Sequence, residues 1–281
     1  MLIDTHAHLN IAAFNENRDK VIKKCLEEGI WMINIGTNYE TSEMAVGIAE
    51  KYPQGVFAAV GLHPINLDTG LVKIKTDELE GKRFEKDFDY QKYKNLAKSE
   101  KVVAIGEIGL DYYWKPKTKR KLELFKEKQR ELFLEELELV RELNLPVIFH
   151  CRMAHQDLIE ILKLNIKYQK SKIEGVMHGF VGTGVRLKEY LEMGFYIGFN
   201  GIIFKKIEGI NFEENIKSTP LEKVLFETDC PYLTPPNFGE ERNNPLGVRF
   251  VVEEIAGIKN VGSDKVAEIT TENAKRLFKL G

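Results

Sequence analysis

The chain of 281 residues is poor in cysteine, carries no surplus of positive charge and contains no long apolar run. Cys25, Cys151 and Cys230 are too few for a disulfide framework and suit a reducing compartment, so a cytoplasmic protein is expected. With 41 Lys plus Arg against 43 Asp plus Glu, the formal net charge is −2. That balance excludes proteins that coat DNA with a broad cationic surface, so any nucleic-acid contact must be local. No segment approaches membrane-spanning length, and no membrane partner is expected. Met1-Leu2-Ile3-Asp4 has no basic stretch before an apolar one, so it does not read as a secretory signal. Repeats, low-complexity tracts and interdomain linkers are also missing. What remains, at 43% hydrophobic and 30% charged, is the composition of a folded soluble protein.

Short β-type runs alternate with amphipathic helical stretches. The runs are Leu2 to Thr5, Trp31 to Gly36, Val56 to Val60, Val102 to Gly106, Pro146 to Phe149, Gly175 to Met177, Tyr196 to Phe199 and Lys223 to Thr228. They are apolar and rich in Val, Ile or Phe, as strands buried on both faces should be. Helical periodicity covers Arg18 to Glu28, Lys119 to Leu143 and Ser263 to Lys279. In the second, Leu124, Phe125, Leu132, Phe133, Leu137 and Val140 recur at helical spacing. The stretch from Ile65 to Lys101 reads as an irregular connection around a helix near Tyr90 to Ser99. Eight strands alternating with helices predict a (β/α)8 TIM barrel, one domain over residues 1–281. An open doubly wound sheet is the other arrangement of such elements.

Five of the six histidines, His6, His8, His63, His150 and His178, fall at or just beyond the C-terminal end of an expected strand. That rim is where such barrels build active sites. In a strand, residues two apart share a face, so His6 and His8 can reach one metal ion. Asp4 has the same parity and reads either as a partner for an imidazole N–H or as the cap of a local turn. Glu107 finishes an apolar strand, where a carboxylate is costly unless it is paired or bound to a cation. Asp229 ends another strand, with Glu227 at the same parity as support. Arg152 follows His150 at the same parity. Nitrogens and hard oxygens of this kind suit Zn, Mn or Mg. Cys151 and Cys230 alternate toward the helices and read as inert buried thiols. His155 reads as an exposed helical residue. Tyr112, Tyr113 and Trp114 share one loop, where aromatics either stack a nucleobase or, more commonly, pack in a core.

The chain resembles the TatD-type metal-dependent deoxyribonucleases, a branch of the metallo-dependent hydrolase barrels. The matching segments are Asp4-Thr-His-Ala-His-Leu9, Gly61-Leu-His-Pro64, Ile105-Gly-Glu-Ile-Gly-Leu-Asp-Tyr112 and Leu145-Pro-Val-Ile-Phe-His-Cys-Arg152. They continue with His178-Gly-Phe180, Glu227-Thr-Asp-Cys-Pro-Tyr-Leu-Thr-Pro235, and Arg242-Asn243 with Pro245. The resemblance implies two divalent metal ions, sometimes with a third. His6, His8, Glu107 and Asp229 would hold one, and Glu107, His150 and His178 the other, with Glu107 bridging. His63 and Arg152 would bind a substrate phosphate. Ala7, Glu136, Met153 and Asn244 depart from the family's usual residues, and none of them is an expected metal ligand.

These readings together predict metal-dependent hydrolysis of phosphodiester bonds in DNA, exonuclease-like on single-stranded or frayed ends. A metal-activated water would be the nucleophile, with Asp229 and Glu107 as catalytic carboxylates. The alternative is hydrolysis of an acyl ester, lactone, amide or aminoacyl-tRNA ester at the same site. A structural metal site is disfavoured, because such sites are usually Cys-rich and closed. No obligate protein partner is evident.

Overall fold

In the computed structural model, which describes residues 1–73, 84–169 and 173–281, eight parallel strands form one sheet in sequence order. They are β1 (Leu2–Ala7), β2 (Ile30–Ile35), β3 (Val56–Val60), β4 (Val102–Asp111), β5 (Val147–Arg152), β6 (Gly175–Met177), β7 (Tyr196–Phe199) and β8 (Val224–Phe226). The surrounding helices are α1 (Arg18–Glu27), α2 (Tyr39–Ala49), α3 (Tyr90–Leu96), α4 (Lys119–Leu143), α5 (His155–Gln169), α6 (Gly184–Glu192), α7 (Phe212–Ser218), α8 (Val248–Lys259) and α9 (Ser263–Phe278). This is the (β/α)8 barrel that the alternation of elements predicts.

The seam between β1 and β8 closes at the C-terminal rim. Ala7 bridges in parallel to Cys230, the Asp229 amide donates to the His6 carbonyl at 2.8 Å, and the His8 amide donates to the Cys230 carbonyl at 3.0 Å. Backbone closure thus runs through the segments that carry three expected metal ligands.

Strand alternation sorts apolar side chains into two layers. Ile3, Ile33, Ile35, Ile148, Val176 and Leu225 form an inner cluster, which Leu277 and Phe278 of α9 complete. The outer layer joins strands to helices through residues such as Met32, Val60, Phe149 and Phe226. In α4 the buried stripe is Phe125, Leu132, Phe133, Leu137 and Val140. Leu124 is exposed, because it lies one step off that stripe.

Three departures from the sequence expectation bear on the site. The β1–β2 register shifts between Asp4 and Ala7, so Asp4 does not share the inward face of His6. Asp4 instead accepts from the His6 and Thr228 amides at 3.1 and 2.9 Å and from the Thr228 hydroxyl, tying β1 to the end of β8. Second, β4 and β5 run on to Asp111 and Arg152, past the expected ends, pairing Gly109 with His150 and Asp111 with Arg152. Third, β8 stops at Phe226 rather than Thr228, because Thr228 bonds to Asp4 and Asp229 adopts φ 56°, which no strand tolerates. Within the irregular connection, α3 falls near the expected helix, and residues 74–83 lie outside the described residues.

Glu136 of α4 is fully buried, and its Oε1 accepts from the Leu62 amide at 2.9 Å, next to His63. Burial raises its pKa well above the carboxylate range. Its Oε2 has no hydrogen-bond partner. A raised carboxyl pKa means that the folded state keeps a proton that the unfolded state loses above its own pKa, so Glu136 lowers stability as pH rises through that interval. Glu136→Gln removes this penalty while keeping an acceptor for Leu62. The expected stability gain is near zero at pH 4.5 and grows by about 1.4 kcal/mol per pH unit above it until the folded-state pKa is reached. Urea unfolding at pH 5 and pH 7 checks this, and a gain independent of pH would refute it.

Candidate metal centre

Glu107 stands at the centre of the barrel mouth, 4% exposed, with imidazoles on every side. Its Oε2 lies 3.3 Å from His6 Nε2. Its Oε1 lies 2.6 Å from His150 Nδ1, 3.5 Å from His63 Nε2 and 3.8 Å from His178 Nε2. Across the β1–β8 seam, Asp229 Oδ1 is 3.3 Å from His8 Nε2 and 3.8 Å from His6 Nε2. The structure therefore brings together all eight residues singled out as ligands, carboxylate catalysts or phosphate contacts, since Arg152 joins through Asp111 as described below.

Hydrogen bonds assign a task to individual ring nitrogens. His8 Nδ1 faces the Ile35 carbonyl at 3.2 Å, which requires its proton there and leaves the Nε2 lone pair aimed into the site. His63 Nδ1 accepts from the Ile65 amide at 3.0 Å. Its proton therefore sits on Nε2, and the ring is a donor toward the site rather than a ligand. Burial lowers the His63 pKa to about 4, in keeping with a neutral ring. His150 lies between two carboxylates, Glu107 and Asp111, with Nε2 3.0 Å from Asp111 Oδ2. Burial opposes its protonation, but Glu107 and Asp111 prevail and hold its pKa at about 9. His178 Nδ1 is 2.9 Å from Glu227 Oε1. There too burial is outweighed, by Glu227 and Glu107, and the pKa is about 10. Glu107 itself is pushed up by burial but pulled well below the carboxylate range by His63, His178, His6 and His150. Asp229 is likewise kept ionised, its burial outweighed by the bond to His8 and by His178 and His6.

A surrounding layer fixes these rings. Glu227 is wholly buried, accepting from the Gly179 amide at 2.6 Å and from Asn200 at 3.0 Å while it faces His178. Space for it exists because residue 198 is glycine: a Cβ there would meet Glu227 Oε2 at 2.5 Å. On the opposite wall, Asp111 binds His150 and accepts from Arg152 Nε at 2.7 Å through the same Oδ2. Its Oδ1 accepts from the Tyr113 amide at 2.8 Å. Asp111 was not among the residues picked from the sequence as site residues. The signal was present, since 107, 109 and 111 share one parity at the end of an apolar strand.

His155 differs from the exposed residue expected. It is half-buried, with Nδ1 2.9 Å from the Tyr190 hydroxyl and Nε2 2.9 Å from the Val181 carbonyl, and so braces the loop after His178. Cys151 and Cys230 lie on the helix side, and burial raises both thiols, Cys151 to about 12.

The donor set fits divalent cations. His6, His8 and Asp229 offer atoms within 4.8 Å of one another, as do His63, Glu107 and His150, and His6, His178 and Glu227. His63 stands beside Glu107 and His150, where its Nε2–H makes it a donor to the site, and His178 Nε2 also approaches Glu107 Oε1, at 3.8 Å. The His6 and His8 Nε2 atoms face each other at 3.2 Å, and buried His6 Nδ1 and Glu227 Oε2 have no hydrogen-bond partner. Buried polar atoms left so are costly, and convergent nitrogens and carboxylate oxygens are what a zinc, manganese or magnesium ion requires.

The family model of TatD-related DNases matches residues 3–279. The chain belongs to that family. As a TatD-family protein it is a metal-dependent hydrolase. It is 37% identical to YabD of Bacillus subtilis, named an uncharacterized metal-dependent hydrolase, over the full length of both chains. It is 32% identical to the 3′-5′ ssDNA/RNA exonuclease TatD of Erwinia tasmaniensis, over 99% of this chain and 100% of that one. The crystal structure of YjjV, a TatD homologue from Escherichia coli K12, superposes with a TM-score of 0.80 at 26% identity, covering 100% of this chain and 98% of the other.

In this TatD-family site, His150 and His178 carry protons at neutral pH when no cation is present, because their pKa values lie above 7. A bound cation needs the lone pair of each ligand and must displace those protons. Metal affinity is therefore expected to rise as pH increases from 6 to 9, with proton release on binding. Calorimetric titration with Mn²⁺ in two buffers of different ionisation enthalpy reads that release directly. Identical heats in both buffers would count against it.

Proposed function

We propose that the chain hydrolyses phosphodiester bonds in DNA, trimming single-stranded or frayed ends with water as the nucleophile. The observation that carries this reading is the setting of Arg152. Its Nε is anchored on Asp111, its side chain is 41% exposed, and its two terminal amino groups bond to no described residue. A guanidinium held by one edge at the lip of a metal centre presents a fork for two phosphate oxygens. The Nε2–H of His63 supplies a further donor. A neutral ester or amide carbonyl offers one oxygen to such a fork, whereas a phosphodiester offers two non-bridging oxygens that share a negative charge.

Divalent cations held by His6, His8, Glu107 and Asp229, and by Glu107, His150 and His178, would supply the Lewis acidity that makes water a nucleophile near neutral pH. Asp229, kept ionised beside His8, accepts the proton of the attacking water. Glu107 keeps both oxygens ionised at the centre of the site. Arg152 and His63 neutralise charge that builds on the non-bridging oxygens. Glu227 and Asp111 hold His178 and His150 in place throughout. The activity named for the Erwinia relative supports a nucleic-acid substrate with a free end. The chain acts as one barrel over residues 1–281, and its three unbridged cysteines suit the cytoplasm.

Purified protein with Mg²⁺ or Mn²⁺ is expected to degrade single-stranded DNA, with RNA run in parallel. Glu107→Ala should abolish cleavage. Arg152→Ala should lower kcat/KM on DNA by about a hundredfold and affect carboxylic esters far less. A metal-loaded protein that leaves DNA intact but cleaves an acyl ester, lactone, amide or aminoacyl-tRNA ester would overturn this reading in favour of the acyl one.

A further inference from the structure

The loop after β4 carries three consecutive aromatics with different fates. Tyr112 is buried, and its hydroxyl donates to Asp157 at 2.9 Å, which is ordinary core behaviour. Tyr113 and Trp114 are 52% and 44% exposed, their rings 5.1 Å apart and perpendicular. Met153, next in sequence to Arg152, is 63% exposed. Large apolar side chains grouped in the open need an explanation that isolated ones do not. This group stands at the active-site rim. The Arg152 guanidinium lies 4.4 Å from the centre of the Tyr113 ring, and the Tyr113 amide is tied to Asp111, the carboxylate that also orients His150 and Arg152.

The chain then turns basic. Lys115, Lys117, Lys119, Arg120 and Lys121 are all exposed, and none forms an ion pair with a described residue. Three of them open α4, whose first turn has no acidic residue. Cations at that end oppose the helix dipole and one another, so the arrangement is unfavourable within the chain and becomes favourable against a polyanion.

We propose that Trp114, backed by Tyr113, stacks an unpaired nucleobase of the strand whose phosphate is held at Arg152, and that residues 115–121 carry the backbone of that strand away from the site. This rests on the phosphodiesterase reading and deepens it by naming how an unpaired strand is chosen. Aromatic faces with interleaved cations are the general means of gripping single strands without reading sequence. A base inside a duplex already has neighbours on both faces and cannot offer one to Trp114, whereas a base at a frayed end can.

Trp31, the other tryptophan, packs on Phe57 at the start of β2, the opposite end of the barrel, so Trp31→Phe isolates the Trp114 signal. A phosphorothioate oligothymidylate added to the Mg²⁺-loaded Trp31→Phe protein should quench that fluorescence. An abasic oligomer of equal length should bind about tenfold more weakly. Trp114→Ala should raise KM on oligothymidylate by about tenfold with little change in kcat, and Trp114→Phe should restore it. Lys115→Ser with Lys117→Ser should reduce the slope of log affinity against log salt by about 1.4. Equal binding of abasic and base-bearing oligomers, or an unchanged KM in Trp114→Ala, would overturn the proposal while leaving phosphodiester hydrolysis standing. Quenching and base-dependent binding without any cleavage would keep the stacking site and sink the hydrolytic reading instead.

Discussion

A single carboxylate, buried within β4, imposes most of what surrounds it. Glu107 has lost its water, and an ion so placed is tolerated only beside opposite charge. The barrel answers with imidazoles from four different strands or the residues just past them: His6 in β1, His63 after β3, His150 in β5 and His178 after β6. Only a closed barrel can bring such distant segments around one side chain, because its strand ends converge on a common rim. The fold and the charge problem therefore have one solution between them. A cation bound there completes the compensation that partly protonated imidazoles supply in its absence.

Compensation then passes outward along two walls. On one, His150 leans on Asp111, Asp111 on Arg152, and Arg152 on the Tyr113 ring. On the other, His178 leans on Glu227, which is held by Asn200 and the Gly179 amide. The two walls end differently. The Glu227 wall is sealed in the barrel, where Gly198 leaves just enough room for the carboxylate, so it can only orient and tune His178. The Asp111 wall ends in solvent with a guanidinium and exposed aromatics, so it can meet a substrate. An asymmetry of this kind gives a site with two supporting carboxylates one open side and one closed side.

Much of this was legible in the sequence. Eight strands, the barrel and the gathering of His6, His8, His63, His150, His178, Glu107 and Asp229 at one rim follow from periodicity and from where these residues fall along each run. Glu227, read as support for the site, faces His178. Parity failed at Asp4, because a register shift in β1 turns it away from the mouth, and alternation cannot foresee a bulge. Strand ends were misjudged at β4 and β5 because polar residues there read as loop, while the structure extends both to place Asp111 and Arg152; at β8 the expected run was too long, since Thr228 leaves the ladder to bond Asp4. His155 was misread because a polar residue at a helix start resembles a surface one, and its partners, Tyr190 and Val181, are distant in sequence.

The near-neutral charge of the chain acquires a different meaning beside this geometry. A net charge of −2 excludes a generally cationic surface, but it does not fix where the charges lie. Carboxylates are drawn inward around the centre, at Glu107, Asp111, Glu227 and Asp229, whereas five exposed cations crowd into residues 115–121 beside the open wall. The seam adds a mechanical consequence. His6 and Asp229 close the barrel through their backbones at 2.8 Å while their side chains offer atoms to one candidate ion, together with His8. Asp229 holds a left-handed backbone at that junction, a conformation costly for a residue other than glycine. An ion gripped from both sides of the seam would bind the closed barrel and not the open one, so its binding energy would add to the stability of closure. Strain at Asp229, closure of the sheet and assembly of the centre are thus three aspects of one junction.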